Sequence, residues 1–305
     1  MSNVLLGTCI GDALGIPFET KPANYPNLLE WDNNTFLPSE SHKLSPGQYS
    51  DDGQMSLIVA ESLLKNNGYN PEYTASEYLK WFDSGQARGF GKTTKFAIDN
   101  LRDGKKFYES GIVNSYGNGS SMRAAPFGVY YANDIEHLLQ SVKLDSAITH
   151  CSEEAEAGAL AIALSVFFCI NNDYNNLIYK ISKYLPNSKV KENLLSLDGI
   201  FCSDISSEKA FEVLGTKADV RMTVPSVLYA FYKFSSFKEG VPAIIKAGGD
   251  TDTNAAILGA LYTARDGIKD ISEYWISNLE NSKYIQSLDN SLNNKEIYFF
   301  PRKAN

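Results

Sequence analysis

The chain has 305 residues, of which 43% are hydrophobic and 21% are charged, a composition typical of a soluble globular protein with a substantial core. Its formal net charge is −8, and no cluster of Lys and Arg is dense enough to follow a nucleic-acid backbone. Because DNA and RNA are polyanions, this balance argues against nucleic acid as the main partner. A phosphate-bearing ligand would need local help from a metal ion or from oriented backbone amides.

Cysteine usage and hydropathy favour a cytoplasmic protein. No CxxC spacing is present, so we expect reduced, buried thiols at Cys9, Cys151, Cys169 and Cys202. The N-terminus lacks the basic stretch of a signal peptide. The most apolar segment, Ala155 to Ile170, is shorter than a membrane span and begins among three glutamates, which argues against membrane association.

Helical periodicity dominates from the first residues. Apolar side chains recur at spacings of three and four from Val4 to Leu14, and Pro17 stands just beyond the end of this first predicted helix. On the same helix, Gly7, Gly11 and Gly15 fall four residues apart. They leave a smooth strip against which a second helix can pack closely.

The rest of the chain continues this pattern. Further helices are predicted at Met55–Leu64, Tyr73–Phe82, Ser121–Tyr131, Ile135–Leu144, Glu153–Cys169, Leu177–Tyr184, Val224–Phe234, Val241–Lys246, Asn254–Arg265 and Ile271–Asn278. Short apolar alternation occurs only at Glu296–Phe300, too little to build a sheet. No linker or repeat interrupts the sequence. We therefore predict one all-α domain over residues 1–305, a compact orthogonal bundle of ten or more helices.

The first helix ends in a Gly- and Pro-containing segment, Gly11 to Phe18, and Glu19 follows directly. A glutamate in a loop is usually only solvated. Just past a helix end, however, Glu19 would have the freedom to act as a mobile carboxylate at the mouth of a cleft.

The first acidic motif is Ser50-Asp51-Asp52, just before a predicted helix. Taken alone, it favours a helix cap, because Ser or Asp at a helix start satisfies exposed amides and suits the helix dipole. A second pair, Asp250 and Asp252, changes this interpretation. Capping needs one acid, whereas the chain supplies four in two matched sets, and this favours a metal site.

A glycine loop, Tyr116 to Arg123, leads into another predicted helix and contains Gly117-Asn118-Gly119-Ser120. Glycines let backbone amides approach an anion closely, and a helix N-terminus adds a favourable dipole. An ordinary Asn-Gly turn with a serine cap is the alternative. The spacing matches neither a Walker loop nor a Rossmann fingerprint.

His150 follows Thr149 and precedes the longest apolar helix, for which Ser152 is a plausible cap. An imidazole at a helix start can hydrogen-bond a ribose or a phosphate, although a structural histidine is the alternative. We expect His42 and His137 to be incidental, since both lie in polar or amphipathic surroundings.

The second acidic motif, Gly248 to Asn254, places two carboxylates one residue apart behind paired glycines and before an apolar helix. In extended or turn backbone, residues i and i+2 point the same way. Asp250 and Asp252 can therefore converge on one hard cation from the loop, with the Thr253 hydroxyl as a neutral ligand. These oxygen donors suit Mg²⁺ or Mn²⁺, whereas zinc would favour His or Cys.

Five motifs in this order resemble the ADP-ribosylglycohydrolases, the family that includes the dinitrogen-reductase-activating glycohydrolase and the ADP-ribosyl-acceptor hydrolases. They are Gly11–Glu19, Ser50–Asp52, Gly117–Arg123, Thr149–His150 and Gly248–Thr253. The resemblance runs from the first helix to about residue 280. One departure is visible, since the family commonly has Thr after the Asp-Asp pair, where this chain has Gly53.

The resemblance implies a compact all-α fold with two Mg²⁺ or Mn²⁺ ions at the floor of a cleft that binds ADP-ribose. It implies metal ligation by Ser50, Asp51, Asp52, Asp250, Asp252 and Thr253. It implies substrate contacts from Gly117, Asn118, Gly119, Ser120 and His150. Glu19, Asp52 and Asp250 are the catalytic candidates, with the base left open between Asp52 and Glu19.

The chemistry implied is metal-dependent hydrolysis of the bond between ADP-ribose and a protein side chain, arginine being the first expectation. Alternatives are a serine-linked or free ADP-ribose derivative, a phosphoester, or a non-catalytic nucleotide-binding relative. The expected partner is an ADP-ribosylated protein or a small ADP-ribose derivative, bound by a monomer. The segment from Tyr184 to Val220 carries no readable motif, and we expect it to contribute to the cleft rim.

Overall fold

The computed structural model describes residues 1–296. Its helices are α1 (Val4–Gly15), α2 (Pro26–Glu30), α3 (Asp51–Lys65), α4 (Pro71–Asp83), α5 (Lys92–Arg102), α6 (Phe107–Ser110), α7 (Ala125–Tyr130), α8 (Ile135–Thr149), α9 (Glu153–Ile170), α10 (Leu177–Ser182), α11 (Lys189–Leu195), α12 (Leu197–Phe201), α13 (Ser207–Leu214), α14 (Val220–Lys233), α15 (Phe237–Lys246), α16 (Thr251–Asp266), α17 (Glu273–Asn278) and α18 (Ser282–Asn294). A 3-10 turn, Ile16–Phe18, follows α1. The prediction of an all-α fold with ten or more helices is confirmed.

Two short strands join the helices. β1 (Ile112–Val113) and β2 (His150–Cys151) pair in parallel, with Ile112 opposite His150. The apolar alternation noted at residues 296–300 lies, beyond Glu296, outside the described residues. For the same reason, one domain over residues 1–305 stays a prediction.

Every predicted helix has a counterpart, but two begin later than expected: the helix predicted from Ile271 begins at Glu273, and a larger difference occurs after the glycine loop. The helix predicted from Ser121 starts only at Ala125, with Pro126 in its first turn. Before it, the amides of Ser121 and Met122 both donate to the carbonyl oxygen of Asn118, at 2.8 and 3.1 Å. These turn hydrogen bonds keep the end of the glycine loop out of the helix.

The glycine strip of α1 packs directly on α16. A Cβ atom added to Gly11 would lie 2.1 Å from the carbonyl oxygen of Ala255. A Cβ atom on Gly7 would lie 2.4 Å from that of Gly259. The predicted close packing is confirmed, and all of α1 is buried.

The other long helices surround this central pair. α3, α9, α14 and α15 all contact α16, and α3 and α18 also contact α1. The apolar side chains of these helices form one continuous core. Because α1 and α16 are in backbone contact, the polar residues near their ends are held at fixed positions relative to each other.

The four cysteines differ in their exposure to solvent. All four cysteines are free thiols, but only Cys9 and Cys169 are buried. The expectation of burial is wrong for Cys202, which is exposed, and for Cys151, which is half-buried. Within residues 1–296, no helix is long and apolar enough to cross a membrane.

Candidate metal centre

The two acidic motifs meet at the N-termini of α3 and α16. Ser50 is the N-cap of α3, and Asp51 and Asp52 occupy its first turn. Asp250 is the N-cap of α16, with φ −89° and ψ 71°, and Asp252 lies in its first turn. The expectation that both carboxylates of the second pair lie in the loop is therefore wrong for Asp252. The side chains still converge, because the backbone at Asp250 is not helical.

Six oxygen-bearing residues of these motifs are buried together with a seventh that the sequence did not single out. Asp12, in the apolar helix α1, is 0% exposed and accepts from the amide of Ser50 at 2.9 Å and from that of Gly53 at 2.9 Å. It thereby caps α3 from outside the helix. The one sequence signal was a lone carboxylate within a fully apolar helical stretch.

Carboxylate oxygens cluster in two groups that share one residue. Asp12, Asp52 and Asp252 place one oxygen each within 4.8 Å of one another, and so do Glu19, Asp250 and Asp252. Asp252 belongs to both groups. Within residues 1–296, these two groups have the geometry to hold metal ions.

Burial disfavours the charged form of these carboxylates. It raises the pKa of Asp12 and of Asp250 to about 6. The pKa values of Asp51, Asp52 and Asp252 are raised well above the usual range, first by burial and then by repulsion among the carboxylates. Without a counterion, such a site favours protonation.

The donor set fits a divalent cation. Asp52 Oδ1 and Asp252 Oδ1 are buried and have no hydrogen-bond partner among the described residues. A buried charged oxygen without a partner is costly, and a hard cation coordinated by carboxylates removes that cost. Asp12 contributes less, because its oxygens already accept backbone amides.

The raised pKa values predict a pH-dependent effect of metal on stability. A folded-state pKa above the unfolded value of 3.8 means that the folded protein binds extra protons between about pH 4 and pH 6 or higher. Stability of the metal-free protein therefore falls as pH rises through that window. We expect the rise in Tm on adding Mg²⁺ to be larger at pH 7.5 than at pH 5, measured by scanning calorimetry.

Asp289 supplies an internal control for this comparison. It is buried outside the site, accepts from the amides of Leu5 and Leu6 at 3.0 Å each, and has its pKa raised by burial to about 7. It affects Tm equally with and without metal. An equal Tm increment at both pH values would contradict the account.

Three further proposed ligands, Ser50, Asp51 and Thr253, are buried at the starts of α3 and α16. The Ser50 hydroxyl donates to Asp52 Oδ2 at 3.0 Å. Asp51 is buried facing Gly89, where a Cβ atom would lie 3.2 Å from Asp51 Oδ1. Thr253 is buried in the first turn of α16, and its hydroxyl helps to lower the pKa of Asp250. Asp51 belongs to neither carboxylate group.

Gly53, the departure from the family pattern, has a local explanation. A Cβ atom at this position would lie 2.6 Å from Cδ2 of Tyr49 and 3.1 Å from Sγ of Cys9. The Tyr49 ring therefore occupies the space that a threonine side chain would need. The Gly53 amide still donates to Asp12, so the start of α3 keeps its cap.

The glycine loop packs on the ring of His150. A Cβ atom at Gly119 would lie 2.6 Å from His150 Cε1, and one at Gly117 would lie 2.9 Å from Nε2. Burial lowers the pKa of His150 to about 3, so the ring is neutral, and its Nδ1 lies 2.8 Å from the Thr149 hydroxyl. The close approach of the His150 ring therefore explains the presence of glycine at both positions without a bound anion.

Two residues of the loop make hydrogen bonds that position the site. Asn118 Nδ2 donates to Asp250 Oδ2 at 2.6 Å and to the Thr223 hydroxyl at 2.8 Å. The buried Ser120 hydroxyl donates to the carbonyl oxygen of Ala155 at 3.2 Å. Asn118 therefore orients a carboxylate of the centre, while Ser120 ties the loop to α9.

A buried ion pair supports the loop from below. Arg123 is 0% exposed, and its Nε donates to Asp145 Oδ2 at 2.7 Å. Its two Nη atoms donate to the carbonyl oxygen of Gly119 at 3.2 Å and to the Thr149 hydroxyl at 2.9 Å. Thus one guanidinium fixes both the glycine loop and the residue that contacts His150.

Glu19 is paired with a histidine that we expected to be incidental. Glu19 Oε2 lies 2.5 Å from His42 Nε2, and this contact raises the pKa of His42. His42 therefore contacts a candidate site residue, and sequence spacing gave no sign of the contact. His137, in contrast, is exposed and pairs with Asp134 at the start of α8.

A cavity of about 1710 Å³ opens beside the centre, with Glu19 and Asp250 among its lining residues. Residues 206–218 also line it in part, which agrees with the rim expected for the segment without motifs. Glu19 and Asp250 are thus accessible from one side to a ligand much larger than a metal ion.

An all-helical fold with clustered, buried carboxylates beside a large cavity defines a candidate hydrolase, and comparison with known proteins agrees. Residues 2–298 match the family model described as ADP-ribosylglycohydrolase. The chain therefore belongs to the ADP-ribosylglycohydrolase family, as its motifs predicted, and is a glycosidic-bond hydrolase.

Individual relatives extend over nearly the whole chain. The ADP-ribosylhydrolase ARH3 of Xenopus tropicalis is 23% identical, covering 92% of this chain and 90% of the relative. The ADP-ribosylarginine hydrolase Tri1 of Serratia proteamaculans is 22% identical, covering 95% of this chain and 78% of the relative. A solved structure described as an ADP-ribosylglycohydrolase-related protein complex superimposes with a TM-score of 0.73 at 26% identity, covering 97% of both chains.

Proposed function

We propose that this protein is a metal-dependent ADP-ribosylhydrolase that releases ADP-ribose from a modified protein side chain, arginine first. The observation that carries the proposal is the pair of carboxylate groups that share Asp252 and leave two buried oxygens without partners. Family membership supports the reaction, and the name of the Serratia relative supports arginine as the acceptor. The proposed substrate is accordingly an ADP-ribosylated protein or a small derivative of it.

The proposed centre would hold two Mg²⁺ or Mn²⁺ ions. Their ligands would be drawn from Ser50, Asp51, Asp52, Asp250, Asp252 and Thr253, of which Asp252 belongs to both carboxylate groups. When bound, such ions polarise the ribose hydroxyls and the leaving atom and lower the pKa of a water molecule. Asn118 keeps Asp250 oriented toward the centre through its 2.6 Å hydrogen bond.

Two carboxylates of the chain are assigned to proton transfer and to metal ligation. Glu19 is half-buried and lines the cavity, so its carboxylate has access to substrate. Asp52 is 1% exposed and accepts from the Ser50 hydroxyl. We therefore assign proton transfer from the attacking water to Glu19 and a ligand role to Asp52. The contact with His42 fixes the position of the Glu19 carboxylate at the edge of the cavity.

The reaction has an oxocarbenium-like transition state at the anomeric carbon of the ribose. Water adds to that carbon, the bond to the acceptor atom breaks, and the proton lost by water is passed to the acceptor. The proposed substrate contacts include the glycine-loop residues Gly117, Asn118, Gly119 and Ser120, with His150. None of the five is among the lining residues of the cavity, and the loop meets the centre through the hydrogen bond from Asn118 to Asp250. Because His150 is neutral, its part is hydrogen bonding or packing rather than charge.

The test includes a second acceptor residue beside arginine. The ARH3 relative is about as similar to this chain in sequence as the Serratia relative is, and its name does not specify an acceptor. Serine-linked ADP-ribose is the alternative at the same centre. It requires the same carboxylates and differs in the atom that leaves.

The test incubates the protein with peptides ADP-ribosylated on arginine or on serine, with Mg²⁺, Mn²⁺ or EDTA. We expect metal-dependent release of ADP-ribose, quantified by chromatography, from the arginine-linked peptide. Release from the serine-linked peptide alone would select the second acceptor. No release from either peptide in the presence of metal would contradict the proposed function.

A further inference from the structure

The cavity beside the centre is larger than ADP-ribose chemistry requires. Its volume of about 1710 Å³ exceeds the range of roughly 300–1,000 Å³ usual for small-molecule sites. Its inner end reaches Glu19 and Asp250, and its outer walls come from the loop after α1, from α13 and from α15. The cavity therefore leads from the reacting position toward the protein surface.

The lining combines an apolar floor with a basic rim. Apolar side chains include Phe211, Met222, Phe234, Pro242 and Ala243. The rim carries five lysines: Lys21, Lys209, Lys217, Lys238 and Lys246.

Outside the acidic centre, lysines outnumber carboxylates in this lining. The cavity has five carboxylates in all: Glu19 and Asp250 belong to the centre, which leaves Glu208, Glu212 and Glu239 against the five lysines. Glu212 pairs with Lys209 at 2.9 Å, and Glu239 accepts from the amide and the hydroxyl of Ser235. Within residues 1–296, Lys217, Lys238 and Lys246 form no ion pair.

Two of the lysines are on segments hydrogen-bonded to the acidic loop. The carbonyl oxygen of Thr216, next to Lys217, accepts from the amide of Asp250 at 2.8 Å. The carbonyl oxygen of Lys21 accepts from the amide of Gly249 at 2.8 Å. One lysine on each wall is thus held at a fixed position relative to the centre.

Two further lysines of the rim, both on α15, form a row that leads away from the centre. Lys246 ends α15, four residues before Asp250, and Lys238 lies eight residues earlier on the same helix. Eight residues of helix span about 12 Å. Four residues of an extended peptide span about 13 Å, so this row suits two side chains that lie four residues apart on one face of an extended polypeptide.

We infer that this cavity, the lysine groove, binds an acidic segment of the acceptor polypeptide that flanks the modified side chain. The inference rests on the proposed function and adds a substrate preference to it. Acidic side chains contact Lys217, Lys238 and Lys246, while the apolar floor packs against the rest of the segment. The enzyme therefore discriminates among ADP-ribosylated proteins by the sequence around the modified residue.

The experiment compares two ADP-ribosylated arginine peptides that differ only in carrying acidic or neutral residues beside the arginine. An exposed charge pair changes affinity by about two- to fivefold, so three pairs give about tenfold. We expect kcat/KM for the acidic peptide to be about tenfold higher, with the difference mainly in KM. In the variants K217E/K238E/K246E and K217Q/K238Q/K246Q, we expect the ratio to fall to about one or below.

The control variant K233E/K269E/K283E makes the same change in net charge at exposed lysines outside the cavity. It retains the wild-type ratio. Equal kcat/KM for both peptides in the wild type, or a ratio that survives in the groove variants, would overturn the inference.

A binding measurement separates this inference from the proposed function. The probe is a fluorescein-labelled acidic peptide without ADP-ribose, followed by anisotropy. We expect it to bind the wild type about tenfold more tightly than the groove variants. If no modified peptide is hydrolysed, the proposed function fails while this measurement still decides the groove. Equal anisotropy titrations for wild type and groove variants would refute it.

Discussion

Asp252→Asn is expected to abolish Mn²⁺ binding and to lower ADP-ribose release by a factor on the order of 10³ or more. Asp252 belongs to both carboxylate groups, so its replacement removes a ligand from each. The same change removes a buried charge whose pKa is strongly raised by burial and by neighbouring carboxylates. We therefore expect the Tm of the metal-free variant at pH 7.5 to equal or exceed that of the wild type.

These opposite effects on activity and stability distinguish a metal ligand from a residue needed for folding. Isothermal titration with Mn²⁺ and scanning calorimetry of the metal-free protein measure both. The control is Asp134→Asn, which removes an exposed carboxylate of α8 far from the acidic motifs in sequence. Unchanged Mn²⁺ affinity in Asp252→Asn would refute its assignment as a ligand.

Gly11→Val is expected to destabilise the protein by about 3 kcal/mol or more, at the upper end of overpacking effects. A Cβ atom at Gly11 would lie 2.1 Å from the carbonyl oxygen of Ala255 and 2.5 Å from its carbonyl carbon. Backbone atoms cannot rotate away as a flexible side chain can, so α1 and α16 must separate. Because the two helices carry Asp12 and Asp252, their separation also disrupts the carboxylate groups.

Urea unfolding followed by circular dichroism measures the loss. Gly199→Ala is the matched control, since Gly199 lies in α12 and a Cβ atom there would meet nothing within 4 Å. That replacement is expected to raise stability slightly, by up to about 1 kcal/mol. A Gly11 variant as stable as the wild type would contradict the direct backbone contact between the helices.

Helix positions could be predicted from the sequence where the helix is long and buried along most of its length. α1, α9 and α16 are examples, and in α1 even the packing surface was predicted by the spacing of its glycines. Helices with few buried residues were missed. α5 buries only Thr94, Ala97 and Ile98, and α13 buries only Ala210 and Phe211, so the apolar stripe of each helix is narrow.

For the candidate site, the acidic pairs were visible because four carboxylates in two matched motifs exceed what helix caps need. The supporting residues were not visible, since their roles depend on contacts across long separations. Asp12 caps a helix that starts 39 residues later, and Arg123 reaches Asp145 and Thr149 only through the fold. His42 meets Glu19 for the same reason.

The lining of the cavity also could not be predicted from the sequence. The segment from Tyr184 to Val220 had no motif, yet it supplies Lys209 and Lys217 to the lysine groove. Scattered lysines have no sequence signature as a set, because α15 and the loop after α1 supply the others. Only the folded chain brings them to one side of the carboxylates.

The most direct test of the metal centre is anomalous diffraction from crystals soaked in Mn²⁺. We expect anomalous peaks between the first turns of α3 and α16, within coordination distance of Asp52, Asp250 and Asp252. Two peaks bridged by Asp252 would match the proposed pair of ions. Manganese bound solely at surface carboxylates, with none beside Asp252, would contradict the account.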